Sequence, residues 1–126
     1  RVMSANRGKG TIPEITLRKA LWNSGLRGYR VNCKNLPGSP DIVFVRKKIV
    51  IFVNGCFWHR CPLCNPRVPK THKEFWEEKF AKNRERDIEK LRVLEEQGWT
   101  VLVVWECQLK DQMDEIMLMI RNAIGP

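Results

Sequence analysis

The chain has 126 residues, 43% of them hydrophobic and 29% charged, which suits one globular domain with a single modest core. No apolar run nears the ~18 residues of a membrane span, and no apolar segment marks a secretory leader. The 23 Lys+Arg against 14 Asp+Glu leave a net charge of +9, which points to a polyanionic partner such as nucleic acid.

Residues 1–10 hold Arg1, Arg7 and Lys9 with two glycines, and read as a flexible basic arm. Residues 11–126 are expected to form the single domain. Thr11-Ile-Pro-Glu14 has the capping-box form T-x-x-E with Pro13 in the permissive first turn. Ile15, Leu17, Ala20 and Leu21 follow at helical spacing, so a helix is predicted from about 12 to 24, stopped near Gly25. Residues 29–33 alternate like a half-buried strand. Asn35-Leu-Pro-Gly-Ser-Pro40 is turn chemistry. Two β-branched runs around Arg46-Lys47-Lys48 predict a hairpin with strands near 42–46 and 49–53. Residues 55–72 contain prolines and no periodicity, which predicts a long irregular loop, and such loops usually serve a function.

Residues 73–97 are the strongest helix, with Phe80, Ile88, Leu91 and Leu94 as the expected apolar stripe and Gly98 as the stop. Residues 99–107 read as a buried strand. Residues 111–123 read as a closing helix. The order α-β-β-β-α-β-α predicts a mixed central β-sheet flanked by helices in one α/β domain. The hairpin strands are antiparallel, and the long helix serves as a crossover.

Five cysteines is an odd number without signs of secretion, so metal ligation or reduced thiols are expected rather than a disulfide framework. Cys56-x4-Cys61-x2-Cys64 lies in the long loop, and Cys107 closes the last predicted strand. Four thiolates would complete a closed tetrahedral zinc site that pins the loop. The competing reading is a C-x2-C redox pair with Cys107 as a buried core thiol. Cys33 reads as a small buried residue. On spacing alone, His59 could replace one cysteine as a ligand.

Asp41 opens the first hairpin strand, and the second strand ends close to it. A carboxylate there can hold Mg²⁺, with a backbone carbonyl of the second strand as a further oxygen ligand. Equally, an Asp after Pro40 can simply cap a turn.

The stretches PGSPDIVF, VIFVNGCFWH, KEFWEEKFAKNRERD and VVWEC stand in one order along nearly the whole chain. Together they resemble the very-short-patch repair (Vsr) endonucleases, part of the wider PD-(D/E)xK nuclease class with its restriction-endonuclease-like fold. The resemblance implies a Mg²⁺-dependent enzyme that nicks duplex DNA 5′ to the T of a T·G mismatch, carries a structural zinc and wedges aromatic rings into the duplex. It implies Asp41 as the metal-binding aspartate and Val53 as a metal ligand through its backbone carbonyl. It implies His59 as general base and hence not a zinc ligand, Glu14 as an acid near the site, and Asp87, within the Asn83/Arg86 motif, as a hydrogen-bonding support. The zinc ligands would be Cys56, Cys61, Cys64 and Cys107. Val53 stands where the best-known members have threonine. Asn54 stands where histidine or aspartate is common, and an amide neither ionises nor shuttles a proton. No (D/E)xK closes the second strand.

Phe57, Trp58 and Trp76 are the candidate wedges, since apolar rings can unstack a base step and bend the duplex. Phe75, Phe80, Trp99 and Trp105 read as core. Arg1, Arg7 and Lys9 are the favoured phosphate contacts. Lys82, Arg84, Arg86 and Lys90 alternate with acids and read as a solvated helix face. The resulting expectation is a monomeric DNA nicking endonuclease of the bacterial cytoplasm, acting on double-stranded DNA alongside repair proteins. A related nuclease with another DNA target, a catalytically weakened DNA-binding module and a zinc-stabilised interaction domain are the alternatives.

Overall fold

The computed structural model describes residues 11–125. The basic arm, with Arg1, Arg7 and Lys9, lies outside the described residues. Among the described residues, nine elements follow one another. Helix α1 spans Ile12–Asn23, β1 Arg30–Val31, β2 Ile42–Phe44 and β3 Ile49–Asn54. Helix α2 spans Cys56–His59, α3 Lys73–Glu96, β4 Thr100–Trp105, α4 Glu106–Asp111 and α5 Met113–Ile124. Among the described residues, no helix is long and apolar enough to cross a membrane.

The four strands form one mixed sheet in the order β1-β2-β3-β4. Strands β1, β2 and β3 pair antiparallel, and β3 pairs parallel with β4 through the α3 crossover. This is the expected mixed α/β sheet flanked by helices.

Strand β3 reads as an unbroken apolar run because both its faces are covered. Ile49 and Ile51 join Ile42, Phe44 and Val104 beneath Leu17 and Leu21 of α1 and Ile116 and Ile120 of α5. Val50 and Phe52 point the other way and pack with Val43 and with Leu94 of α3. The period-2 alternation thus separates two core layers.

Four boundaries differ from expectation, each for a local reason. The first strand is cut to Arg30–Val31 because Asn32 takes a left-handed conformation at φ 52°. Strand β2 stops at Phe44, since Val45–Lys48 form the turn, closed by the Lys48 N–H donating to the Val45 carbonyl. The long loop opens with the short helix α2, ended by left-handed Arg60. Glu106 and Cys107 begin helix α4 rather than extending β4.

Helix faces differ as well. On α1, Glu14 rather than Ile15 shares the buried face with Leu17 and Leu21. On α3, Ile88 is 60% exposed although the apolar stripe was expected to include it. Positions 76, 80, 83, 87, 90 and 94 instead turn inward, all of them buried or half-buried. Polar Asn83, Asp87 and Lys90 therefore sit between apolar Phe80 and Leu94 on the face toward the sheet.

Candidate active site and metal centre

Asp41 and Val53 meet at one end of the β2–β3 hairpin. The Asp41 N–H donates to the Ile51 carbonyl at 3.1 Å, and the Val53 N–H donates to Asp41 Oδ2 at 2.7 Å. The carboxylate is thereby fixed at the sheet end. Burial pushes the Asp41 carboxyl up to about 6 against the pull of the Val53 N–H, and the charge of Glu14 adds to the rise. Lys90 and Arg18 pull the other way. A half-buried carboxylate raised by desolvation beside a second acid is a place where a cation would be favourable.

Glu14 reaches this region from α1. Its N–H caps onto Thr11 Oγ1 at 3.4 Å, while its side chain, 1% exposed, turns inward and pairs with Arg18. The T-x-x-E pattern thus delivers an acid to the interior. Asn54, at the last position of β3, is also buried.

The second half of the site joins α2 and α3. His59 Nδ1 lies 2.6 Å from Asp87 Oδ2. Burial raises the Asp87 carboxyl, but the His59 hydrogen bond, the His59 charge and Lys90 outweigh it and hold the group below its ordinary value. The Asn83 amide donates to the Trp58 carbonyl at 3.3 Å, tying α2 to α3. His59, Asn83, Asp87 and Lys90 line a cleft of about 600 Å³ whose other wall includes Pro37 and Gly38, just before Asp41.

The four cysteines Cys56, Cys61, Cys64 and Cys107 place their sulfurs within 4.8 Å of one another. Cys61 Sγ and Cys107 Sγ are 3.8 Å apart. With metal–sulfur bonds of ~2.3 Å, the edge of a tetrahedron is about 3.8 Å, so the set fits a tetrahedral cation. The parallel register explains the distant fourth member. Asn54 pairs with Trp105, and two residues beyond the end of each strand Cys56 meets Cys107, whose N–H donates to Cys56 Sγ at 3.4 Å. Cys33 stays apart, packed against the Val43–Leu94 core layer.

Five rings gather beside this centre. Phe57 lies 5.1 Å from Trp58, 5.5 Å from Trp76 and 5.3 Å from Phe80, ring centroid to centroid. Trp76 stacks on Phe80 and touches Phe75. The Arg60 guanidinium sits 4.3 Å from the Phe80 ring centroid, and the same side chain donates to the Phe57 and Pro66 carbonyls. Phe80 is core, as expected, but Phe75 is 58% exposed and belongs to the surface of this cluster.

Comparison with known proteins bears on the whole of this arrangement. The family described as DNA mismatch endonuclease Vsr matches residues 1–64. Over 108 residues the chain is 44% identical to DNA mismatch endonuclease Vsr of Escherichia coli strain K12, covering 86% of this chain and 69% of that protein. The chain belongs to the Vsr family. It is therefore a DNA endonuclease. Two type II nicking enzymes are similar over nearly full length. V.XorIIP of Xanthomonas oryzae pv. oryzae is 40% identical over 99% of this chain and 90% of its own. V.NmeAIP of Neisseria meningitidis is 45% identical over 98% and 91%.

Within this Vsr chain, Glu14, Asp41, Val53 and Asn54 lie toward one end of the sheet, and His59 with Asp87 forms a pair linked to Asp41 through the charge of Lys90. Lys90 was missed by sequence reasoning, which placed it on a solvated face. Its 83/87/90 spacing with Asn83 and Asp87 is the signal that could have found it. The Arg46–Lys48 turn lies at the opposite end of the hairpin from Asp41.

Proposed function

We propose that this protein is a divalent-metal-dependent nicking endonuclease that cleaves one strand of duplex DNA, 5′ to the T of a T·G mismatch. The observation that carries the reading is a half-buried carboxylate, Asp41, and a His59–Asp87 pair, both within the electrostatic reach of Lys90, in a family of DNA endonucleases. In this reading Asp41 and the Val53 backbone carbonyl would hold Mg²⁺, with Glu14 adding negative charge nearby. A cation bound there would supply positive charge against the scissile phosphate. His59 takes the proton of the attacking water at Nε2, because Asp87 occupies Nδ1 and sets the tautomer. Asn54 hydrogen-bonds but carries no proton through the reaction.

The cysteine centre would hold Zn²⁺ in a closed, structural role, since four thiolates leave no position for water. It fixes the base of the loop that bears His59, Phe57 and Trp58. Those two rings and Trp76 enter the duplex at the mismatch, where poor stacking lowers the penalty of opening a step. Arg1, Arg7 and Lys9 of the arm contact phosphates. The protein acts as a monomer in the bacterial cytoplasm, with repair proteins completing the patch.

The test is a nicking assay on end-labelled duplexes with and without a T·G pair, in Mg²⁺ and in EDTA, with Asp41→Ala and His59→Ala beside wild type. A Mg²⁺-dependent nick beside the mismatched T, lost in both variants, is expected. Equal nicking of matched duplex would remove the mismatch role and keep the chemistry. Salt-sensitive binding without a nick would replace the enzyme by a DNA-binding module.

A further inference from the structure

Lys90 lines the cleft beside Arg86, and no step of the foregoing reading uses it. Its side chain is only 18% exposed, unusual for a lysine on a helix rich in solvated charge. Three separate pieces of the site meet on it. Its Nζ lies 3.1 Å from Asp87 Oδ1, while the other oxygen of the same carboxylate faces His59 Nδ1 at 2.6 Å. The ammonium stands 4.2 Å from the ring centroid of Phe52, the residue before Val53 on β3. The stem passes over Gly38, so closely that a Cβ there would lie 2.5 Å from Lys90 Cδ, and Gly38 holds φ at +75°. Gly38 opens the short turn that ends in Asp41.

These contacts have one common consequence. A carboxylate that hydrogen-bonds a single partner can rotate about its terminal bond. Asp87, held at both oxygens, cannot turn away from His59 without breaking an ion pair in a half-buried place. The stem, meanwhile, bears on the Asp41 turn and on β3 next to Val53. We propose that Lys90 is a positioning residue for the nicking reaction: it locks Asp87 onto His59 and keys that pair to the strand end carrying Asp41 and Val53. In the wider nuclease class a strand lysine follows the second acid. Here a helix brings its cation to the cleft from the other side, and acts through Asp87 rather than on the phosphate. The inference rests on the proposed nuclease chemistry for its effect on rate, but its geometric part stands apart from that.

The experiment therefore has two arms on the full chain, with Lys90→Met, which keeps length and loses charge, and Lys90→Arg. The first arm records imidazole ¹H–¹⁵N NMR spectra. The chain has only two histidines, so a His72→Gln variant assigns the His59 signals. We expect Lys90→Met to shift or broaden the His59 Nδ1 signal and leave His72 unmoved, and Lys90→Arg to restore it. An unchanged His59 signal in Lys90→Met overturns the proposal, whatever the protein cleaves. The second arm measures single-turnover nicking and duplex affinity separately. Misplacement of a catalytic group on this scale can lower rate about 10²-fold. A fall of roughly that size in Lys90→Met with affinity and Tm retained, and no further fall when Lys90→Met is added to Asp87→Asn, supports the coupling. Additive losses, or equal losses of rate and affinity, overturn it. Failure of the wild type to nick would instead count against the nuclease reading, and the NMR arm still decides the role of Lys90.

Discussion

Asp41 Oδ2 accepts the backbone N–H of Val53 at 2.7 Å, so one hydrogen bond fastens the half-buried carboxylate to the penultimate residue of strand β3. This places an acid and a strand-end carbonyl group in neighbouring residues of one rigid hairpin. It also places the acid where charging it is unfavourable.

The first prediction concerns that conflict. Burial lifts Asp41 from an ordinary 3.8 to about 6, so between those pH values the folded chain holds a proton that the unfolded chain has released. Stability therefore falls as pH rises through this window, and the charged form costs about 3 kcal/mol above it. Asp41→Asn should remove that loss. In thermal melts without divalent cations, we expect its Tm to exceed wild type by roughly 5–10 °C at pH 8 and to match it near pH 4. The same variant should not nick. A lower Tm at pH 8 would show that the carboxylate stabilises the fold.

His59 and Asp87 should separate chemistry from binding. We expect His59→Ala to slow single-turnover nicking by about 10²–10⁴-fold, the range for a lost general base. Duplex affinity, read by fluorescence anisotropy, should change little. Asp87→Asn should give a smaller loss of the same kind, because the amide still meets Nδ1 but without charge. Equal damage to affinity would assign the pair to DNA binding.

The cysteine centre yields a stoichiometric prediction. Purified protein should carry one tightly held zinc per chain, released when four thiols are titrated by a mercurial. Cys107→Ser should lose metal as readily as Cys61→Ser, although the two positions are 46 residues apart. Metal loss should lower Tm and alter near-UV circular dichroism, since the Phe57 and Trp58 rings sit on the pinned loop, while far-UV signal from the sheet persists. Retention of zinc by Cys107→Ser would place another ligand in the set.

The ring cluster divides into support and contact. Phe80 is buried beneath Phe57, Trp76 and the Arg60 guanidinium. Phe80→Ala should destabilise the fold by about 3–5 kcal/mol. Trp58→Ala should leave stability nearly intact and weaken duplex binding by about 1–3 kcal/mol, the range for a lost base–ring stack. Denaturant unfolding and anisotropy titrations read the two quantities. The opposite pattern would make Trp58 core and exclude it as a wedge.

Much of this architecture was written in local sequence. The apolar run 49–53 announces a hairpin strand, and the structure has one there, covered on both faces. Thr11 before Ile-Pro-Glu14 announces a helix start, and Pro40-Asp41 announces a strand opened by an acid. The stretches around GCFWH and VVWEC identify the family. Each of these signals is carried by residues adjacent in the chain, where turn chemistry and side-chain period act directly.

Tertiary structure decided the rest. Cys107 joins Cys56 only because β4 lies parallel to β3 with Asn54 against Trp105, a register fixed by burying both strands under helices on two sides. The rotation of α3 is a compromise as well. Turning Leu94 onto Val43 and Val50 exposes Ile88 and carries Asn83, Asp87 and Lys90 inward, so a stretch that looks like a solvated charged face becomes the wall of the cleft. Period and spacing along a chain say which residues share a helix face. Which face turns inward is settled by what the opposite strands leave to be covered.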